Sequence, residues 1–290
     1  MGLEVVACPL FRVEPVEWQA PGRAEFDALL LTSANAVRHG GAELAKLASV
    51  PVHGVGSATA GGAREGERLF ATLRQLRTLS ESPVLEMPEP DEATAAMFQR
   101  MLRNNPSWGS IGLAATDASV RARLDRRELL AAAAPAANWV AELVATATPH
   151  ISNLVAVDKG AAYVTFLAVP VMREGAVQAV LFIGIEHTVW LDFFRRYPIH
   201  ERATLTLNDR NAMIIARTLD NPRWAGKRST AAFWDQTQGR TEGAFVNVGV
   251  DGQHFYSAFI RSRVSSWVVG TGVPQQDVEG ALNRPTMVIV

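Results

Sequence analysis

Cysteine and excess charge of one sign are both scarce in this sequence. Cys8 is the only cysteine among 290 residues, which excludes an internal disulfide and a zinc site built from cysteines. Twenty-eight Lys and Arg residues nearly balance 29 Asp and Glu residues, so the net charge is −1 and no basic block is present. We therefore expect neither nucleic acid nor an anionic membrane surface as a partner.

Long hydrophobic runs are missing as well. No window holds the ~18 uninterrupted apolar residues that a transmembrane helix requires. The opening residues, MGLEVVACPLF, have no basic stretch followed by a long apolar core, so we expect no signal peptide. Hydrophobic residues make up 48% of the chain and charged residues 20%, which predicts a packed globular protein, soluble as given, and leaves its compartment open.

Patterns typical of catalytic chemistry are also lacking. The sequence shows no nucleophile beside a base, no pair of carboxylates at catalytic spacing and no cluster of metal ligands. His187, for example, has no second histidine at position 191 that could complete a metalloprotease pair. We expect no catalytic residue, no metal and no cofactor, and this favours binding over catalysis.

The stretch at residues 165–185 organises the rest of the chain. Thr165–Met172 and Val177–Ile185 are apolar runs rich in β-branched residues, and the polar residues between them end in Gly175. This pattern predicts two antiparallel strands joined by a tight turn. We expect the hairpin to lie in the middle of a sheet, with one face on a core and the other facing a ligand.

Two series of elements surround this hairpin. Residues 67–79 carry apolar side chains at helical spacing, which predicts an amphipathic helix that packs on the following sheet or pairs with a second copy of the chain. Strands and a helix precede the hairpin, although no clear strand follows Thr116. After Pro198 come two strands, a helix and three strands, with Asp251-Gly252 as a strong hairpin turn.

The predicted fold class is α+β. It has a short parallel α/β segment at residues 1–66, then a long helix and two tandem antiparallel-sheet modules at 67–202 and 203–282, and a tail at 283–290. The first segment alternates short strands with helices, and clusters of small hydroxyl residues end two of its strands, at Thr32 and Ser57. Such an edge suits helix caps or an anionic ligand.

The first segment resembles uroporphyrinogen-III synthase over about residues 2–65, in the stretches PLFRVEPVEW, FDALLLTSANAVRHGG and VPVHGVGSATA. The resemblance implies that carboxylates of a tetrapyrrole lie against five residues, which are Thr32, Ser33, Asn35, Ser57 and Thr59. The matching stretch omits the family's first strand and second lobe, so we expect no synthase activity from it alone.

Residues 68–282 are similar to the double-Cache, PAS-like sensors of bacterial signalling proteins. The motifs are AVPVMREGAVQAVLFIGIE, LTLNDRNAMIIAR, NPRWAGK, VDGQHFYSAFIRS and SSWVVGTGVP. The resemblance implies a non-catalytic domain that binds a small ligand in its first module and serves a histidine kinase, a diguanylate cyclase or a chemoreceptor. Members usually lie outside the cytoplasm, anchored by membrane segments that are absent here. The amino-acid-binding form carries an Arg-x-Trp-Tyr run where this chain has residues 137–140, so amino-acid binding is not predicted.

Four residues are candidates for the ligand pocket of the first module: Trp139, Asp158, Tyr163 and Thr165. A small polar ligand needs an aromatic wall and one or two placed charges, and these residues surround the central hairpin in the sequence. Core packing for the two aromatic residues and a turn role for Asp158 are the alternatives. A synthase-type enzyme of tetrapyrrole biosynthesis is the second functional hypothesis, and a fusion of two fragments without a function is the third.

Overall fold

The computed structural model describes residues 29–31, 52–54, 56–86, 90–160, 162–195 and 203–277. Side chains are described from Glu65 onward, except those of Glu86 and Asp158. In this part of the chain a small parallel sheet precedes a long helix and two antiparallel sheets with helices packed on them. This architecture confirms the predicted α+β class.

The small sheet pairs β1 (Leu29–Leu31) with β2 (Val52–Gly54) in parallel. Parallel pairing was expected because helical sequence separates the two strands, and a crossover connection joins parallel neighbours. The helix predicted between them and the strand predicted before them lie outside the described residues.

A single long helix, α1 (Gly56–Ser80), links the small sheet to the rest of the molecule. Leu69 and Leu76 lie one heptad apart, are fully buried and face the main core. A helix start at residues 56–60 and a separate helix at 67–79 are both predicted from the sequence, and the structure joins them into one helix. Glycines at 61, 62 and 66 lower helix propensity by about 1 kcal/mol each, which explains why the sequence suggests two helices, whereas the structure continues the helix through them.

The first antiparallel sheet has six strands: β3 (Ser110–Ala114), β4 (Val120–Asp125), β5 (His150–Ile151), β6 (Val155–Val157), β7 (Ala162–Arg173) and β8 (Ala176–Glu186). Their order is β4-β3-β8-β7-β5, and β6 also pairs with β7. The predicted hairpin is therefore confirmed as the centre of the sheet. Glu174 and Gly175 both have positive φ, at 49° and 79°, which gives the turn the twist that a two-residue hairpin requires.

Two helices before the hairpin cover this sheet from opposite sides. Helix α2 (Glu92–Asn104) contacts β3 and β4, and α3 (Ala137–Thr146) contacts β7 and β8. Side chains alternate along β7, so Leu167 and Val169 face the core that includes α1 and α2, while Phe166 and Ala168 face α3.

Strand β4 corrects the expectation that no strand follows Thr116. Its sequence, VRARLD, carries two arginines and lies at the edge of the sheet, where charged residues are common. Arg123 is accommodated because its guanidinium donates to the carbonyl oxygens of Ala133 and Leu130 and pairs with Asp125 at 2.8 Å. The edge position therefore explains why the strand lacks an apolar pattern.

The second antiparallel sheet has five strands: β9 (Thr204–Asn208), β10 (Ile214–Arg217), β11 (Glu242–Val248), β12 (His254–Arg261) and β13 (Val268–Pro274). Their order is β10-β9-β13-β12-β11. Helix α4 (His187–Arg195) precedes the sheet, and α5 (Asn221–Trp224) and α6 (Ala231–Thr237) lie between β10 and β11. The boundary predicted between 202 and 203 has its first residue outside the described part and stays a prediction.

One hydrophobic core runs from α1 through both sheets. It joins Leu167 and Ile183 of the first sheet to Leu205 and Val269 of the second. Polar contacts also cross this junction: Asp209, fully buried, accepts a hydrogen bond from the backbone N–H of Leu154 at 2.9 Å. The two sheets are therefore packed on each other through shared apolar and polar contacts.

Candidate functional site

The predicted ligand-binding residue Trp139 lies on the α3 face of the first sheet. Its ring stacks on His150 with centroids 5.0 Å apart and an interplanar angle of 2°, and it lies 6.3 Å from the ring of Phe166. Its indole Nε1 is buried without a hydrogen-bond partner among the described residues. This face is filled by aromatic and aliphatic side chains.

Thr165 lies on β7, on the face of the first sheet opposite to α3. Its hydroxyl accepts a hydrogen bond from Nε1 of Trp190 at 3.1 Å and donates to the carbonyl oxygen of Ile185 at 3.3 Å. Thr165 is fully buried in the core shared with α4, so its hydrogen-bonding capacity serves that packing. Thr165 and Trp139 therefore lie on opposite sides of the first sheet, and Thr165 as a ligand contact stays a prediction.

The side chain of Tyr163 also lies away from the α3 face. Its ring packs edge-on against His187, with centroids 5.5 Å apart, and a Cβ added at Gly226 of the second sheet's loop would lie 2.0 Å from its Cζ. Asp158 opens a 3-10 turn before β7, but its side chain is outside the described part. The structure therefore does not bring the four candidates together, and Trp139 as a ligand contact stays a prediction.

The residues suggested by the synthase resemblance fall mostly beyond the described part. Thr32, Ser33 and Asn35 lie outside the described residues. Ser57 and Thr59 lie in the first turn of α1, and their side chains are not described.

A cavity of about 60 Å³ lies over the second sheet, between its strands and helix α6. Thr204, Thr206 and Asn208 point into it from β9, because alternate residues of a strand share a face. The intervening Leu205 and Leu207 face the opposite way, into the main core. The polar face of this strand is therefore turned toward the cavity.

Glycines and one short helix give the cavity its shape. A Cβ added at Gly270 of β13 would lie 2.6 Å from Cζ of Phe233, so this position admits the ring only as glycine. Phe233 belongs to α6, whose first turn is capped by Thr230: its hydroxyl accepts from the backbone N–H of Phe233 at 3.2 Å. The helix thus forms one wall of the cavity.

Side-chain hydrogen bonds organise the polar lining. Ser229 donates to Oδ1 of Asn208 at 2.5 Å, and Ser257 donates to Oδ1 of Asn247 at 2.6 Å. Thr204 is 5% exposed, and its hydroxyl is buried without a hydrogen-bond partner among the described residues. Since a buried hydroxyl without a partner costs free energy, Thr204 marks a place where a bound molecule could supply the missing hydrogen bond.

Arg217 of β10 supplies the charge of the cavity. Its side chain is 5% exposed, Nη2 lies 3.4 Å from Oδ2 of Asp251, and Nη1 donates to the carbonyl oxygen of Leu219 at 2.9 Å. Burial lowers the pKa of this arginine, while the charge of Asp251 acts in the opposite direction. The site can therefore offer a buried cation beside hydroxyl and amide groups.

Sequence reasoning missed this cavity. The signal was the alternation in TLTLN at residues 204–208, where threonine and asparagine share one face of a strand whose leucines occupy the other. A sheet face of this kind, covered by a helix, must satisfy its polar groups internally or through a ligand.

A second polar feature joins α1 to the second sheet. Glu65 is fully buried and accepts a hydrogen bond from the hydroxyl of Ser265 at 2.8 Å. Burial raises the pKa of this carboxyl to about 7, against the opposing effect of hydrogen bonds from Ser262 and Ser265.

Two negative findings concern the described residues alone. No group of three or more His, Cys, Asp or Glu side chains in these stretches is arranged to hold a metal ion. None of their helices combines the length and the apolar character needed to cross a membrane.

Comparison with solved structures confirms the fold predicted from the sequence. The extracellular domain of rpHK1S-Z16, described as a histidine kinase, superposes with a TM-score of 0.61 at 13% identity, over 77% of this chain and 93% of that one. Methyl-accepting Chemotaxis protein X gives 0.59 at 13% identity, over 76% and 95%. The ligand-binding domain of the Pseudomonas aeruginosa PAO1 chemoreceptor PctB, in complex with L-Arg, gives 0.56 at 14% identity, over 77% and 92%. The chain therefore has the two-module, Cache-like fold of these sensor domains.

Sequence comparisons concern a smaller part of the chain. Residues 1–76 match the family model for uroporphyrinogen-III synthase HemD, which confirms the resemblance seen in the first segment. The matched range extends into α1 and ends four residues before the end of that helix at Ser80. The comparison with curated proteins gives no significant match.

Proposed function

We propose that this chain is the ligand-binding input domain of a signalling protein, and that it binds a small polar molecule without converting it. The observation that carries the proposal is the cavity over the second sheet, which hydroxyl and amide groups line together with the buried side chain of Arg217. The likeness in fold to a histidine kinase domain and to chemoreceptors supports the same role, and PctB was solved with an amino acid bound.

Helix α1 is positioned to transmit a structural change caused by ligand binding, because it contacts both sheets. It contacts β7 and β8 of the first sheet and β12 and β13 of the second, and β12 and β13 contribute to the cavity lining. A ligand that shifts these strands would therefore act on the helix directly. The output, in the proposal, is a kinase, a cyclase or a chemoreceptor domain.

The second sheet is preferred over the first as the binding site because of how the two faces are filled. The α3 face of the first sheet is packed with a cluster of buried apolar side chains, among them Trp139, Phe166 and Phe182. The α6 face of the second sheet has at least six polar lining residues and a cavity. Trp139 is the alternative contact on the first sheet.

A thermal-shift screen of amino acids, carboxylates, amines and purines tests the proposal. A ligand at about 100 times its dissociation constant adds about 2.7 kcal/mol to the free energy of unfolding, which raises the melting temperature by a few degrees. Thr206→Leu places a bulkier side chain in the cavity and should abolish the shift, whereas Trp139→Phe should leave it. The opposite pattern would assign the ligand to the first sheet, and no shift from a broad screen would contradict the proposal.

The tetrapyrrole hypothesis remains a second candidate because residues 1–76 match the synthase model. Its prediction is that a tetrapyrrole carboxylate contacts Thr32, Ser33, Asn35, Ser57 and Thr59. Binding of uroporphyrin, measured by fluorescence quenching, should then fall on Ser57→Ala and stay unchanged on Thr206→Leu. Equal binding by both variants would count against it.

We further propose that the chain pairs with a second copy through residues 67–79 of α1. Phe70 is 60% exposed on this helix, and the guanidinium of Arg74 lies 5.7 Å from its ring centroid. An apolar ring on an exposed helix face is suited to packing against a copy of itself. Analytical ultracentrifugation should show a dimer that Phe70→Ser weakens and that Thr78→Ser does not.

A further inference from the structure

The charge of the cavity lining narrows the class of ligand, on the premise that the cavity is the binding site proposed above. Arg217 is the only charged residue among the described residues that line it, and the others carry hydroxyl, amide or apolar groups. Away from water, a buried cation attracts an anionic group more strongly than an exposed one does. We infer that the cavity binds a short-chain monocarboxylate whose carboxylate pairs with Arg217.

The guanidinium has donors available for this pair. Nη1 donates to the carbonyl oxygen of Leu219 at 2.9 Å, and Nη2 lies 3.4 Å from Oδ2 of Asp251. A guanidinium carries about five N–H donors in a planar fork that matches the two oxygens of a carboxylate. Donors therefore remain for a ligand after both internal contacts are made.

The register of the sheet places further polar groups beside Arg217. Thr206 of β9 is its direct partner across the strand pair, and Thr204 lies two residues along on the same face. The hydroxyl of Thr204 has no hydrogen-bond partner among the described residues. A ligand oxygen could accept from this hydroxyl while the carboxylate engages the guanidinium.

The volume of the cavity limits the length of the acid. A buried water needs about 10–15 Å³ by the same kind of measure. The 60 Å³ of the cavity therefore holds roughly four to six water positions. Acetate, propionate, pyruvate and lactate fall in this range, whereas a dicarboxylate as large as succinate or an aromatic acid exceeds it.

Asp251 is the competing anion inside the protein. It lies in the turn between β11 and β12, its side chain is 21% exposed, and its 3.4 Å contact with Arg217 is long for a charge-assisted hydrogen bond. A ligand carboxylate must bind against its repulsion or displace it. Asp251 therefore lowers the affinity for carboxylates and leaves that for neutral molecules nearly unchanged.

Isothermal titration calorimetry of the whole chain tests the inference, with acetate, propionate and pyruvate as probes and acetamide and propionamide as neutral matches of similar shape. The carboxylates should bind, and the amides should bind more than about tenfold more weakly, since a hydrogen bond to a charged group is stronger than one between neutral groups. Amides that bind as tightly as the carboxylates would overturn the inference, as would carboxylates that do not bind.

Single substitutions test whether Arg217 and Asp251 determine the affinity for carboxylates. Arg217→Gln should weaken carboxylate binding more than about tenfold, while Arg223→Gln, an exposed arginine outside the cavity, should leave it unchanged. Asp251→Asn should tighten carboxylate binding by roughly two- to fivefold. If Arg217→Gln fails to fold, Asp251→Asn carries the test, and unchanged or weaker carboxylate binding by it would overturn the inference.

The outcome also separates this inference from the proposed function. Suppose an amine, a purine or a neutral compound binds and its binding is lost on Thr206→Leu. The cavity is then a ligand site, and only the carboxylate class is wrong. If no compound of any class binds, both the inference and the proposed function are wrong.

Discussion

The two sheets have the same plan and fill it differently. Each is a central antiparallel sheet with one face on the common core and the other under a helix, α3 for the first sheet and α6 for the second. Under α3 the buried cluster contains Trp139, Phe166 and Phe182, whereas under α6 the lining contains threonine, serine and asparagine. Whether a module of this fold can bind a polar ligand therefore depends on the side chains of one sheet face, not on the topology.

Glycine makes room for an aromatic ring in both sheets. A Cβ added at Gly112 of β3 would lie 2.4 Å from Cζ of Phe182, and one added at Gly270 of β13 would lie 2.6 Å from Cζ of Phe233. In the first sheet the ring joins the apolar cluster under α3. In the second sheet the ring belongs to α6 and lines the cavity. The difference between the two faces therefore lies in their polar residues, not in their glycines.

The largest predicted effect on stability comes from removing a ring from the packed α3 face of the first sheet. Phe166→Ala removes a fully buried ring from the first sheet and should lower the free energy of unfolding by about 3–5 kcal/mol, measured by urea denaturation. Val246→Ala, at a residue 53% exposed on β11, should change it by less than about 0.5 kcal/mol. A loss below about 1 kcal/mol for Phe166→Ala would mean that the first face is not tightly packed and would weaken the comparison.

Much of the fold could be predicted from the sequence, and the reason is local. The hairpin of β7 and β8 was predicted because two apolar β-branched runs flank a turn with a glycine, and both signals lie within about twenty residues. Strand β4 was missed because an edge strand needs no apolar alternation, and Arg123 finds its hydrogen-bond acceptors in the carbonyl oxygens of Leu130 and Ala133.

The site was harder to predict because it depends on which face each residue occupies. Trp139 and Thr165 are close in the element order but lie on opposite faces of one sheet, and a shift of a single residue in the assumed register exchanges the faces. The cavity brings together residues from β9 to β13, and Arg217 is more than fifty residues from Gly270 along the chain. Such a constellation is fixed by the register of the sheet, which the sequence does not display.

The predicted effect of intermediate size is a pH-dependent loss of stability at Glu65. Helix α1 contacts the main core through the apolar Leu69 and Leu76, whereas it contacts the second sheet through this titratable carboxyl. The folded-state pKa of Glu65, about 7, exceeds its ordinary value of 4.5. Above pH 4.5 the unfolded chain loses this proton while the folded protein keeps it, so stability falls as pH rises and the loss is complete above about pH 7. The loss should reach about 3 kcal/mol at most.

Glu65→Gln tests this effect in urea denaturation between pH 4 and 8. The variant should lose the decline in stability across that range and should exceed the wild type in stability at pH 8. Glu67→Gln, which changes an exposed glutamate two residues along α1, should keep the decline. A decline that persists in Glu65→Gln would show that other groups cause it.

The smallest predicted effect concerns Thr204, one of the polar residues that distinguish the second face from the first. Its hydroxyl is buried without a partner among the described residues, and valine has nearly the same shape without the hydroxyl. Thr204→Val should therefore raise the free energy of unfolding of the unliganded protein by about 1 kcal/mol, because the desolvation cost of the hydroxyl disappears. Thr204→Ser keeps the hydroxyl, loses a methyl group and should instead lower stability by about 1 kcal/mol. If the hydroxyl is kept for a ligand, Thr204→Val should also bind that ligand more weakly, so that stability and binding change in opposite directions. Destabilisation by Thr204→Val would mean that the hydroxyl already has a partner in solution, and the difference between the two faces would then be smaller than the structure indicates.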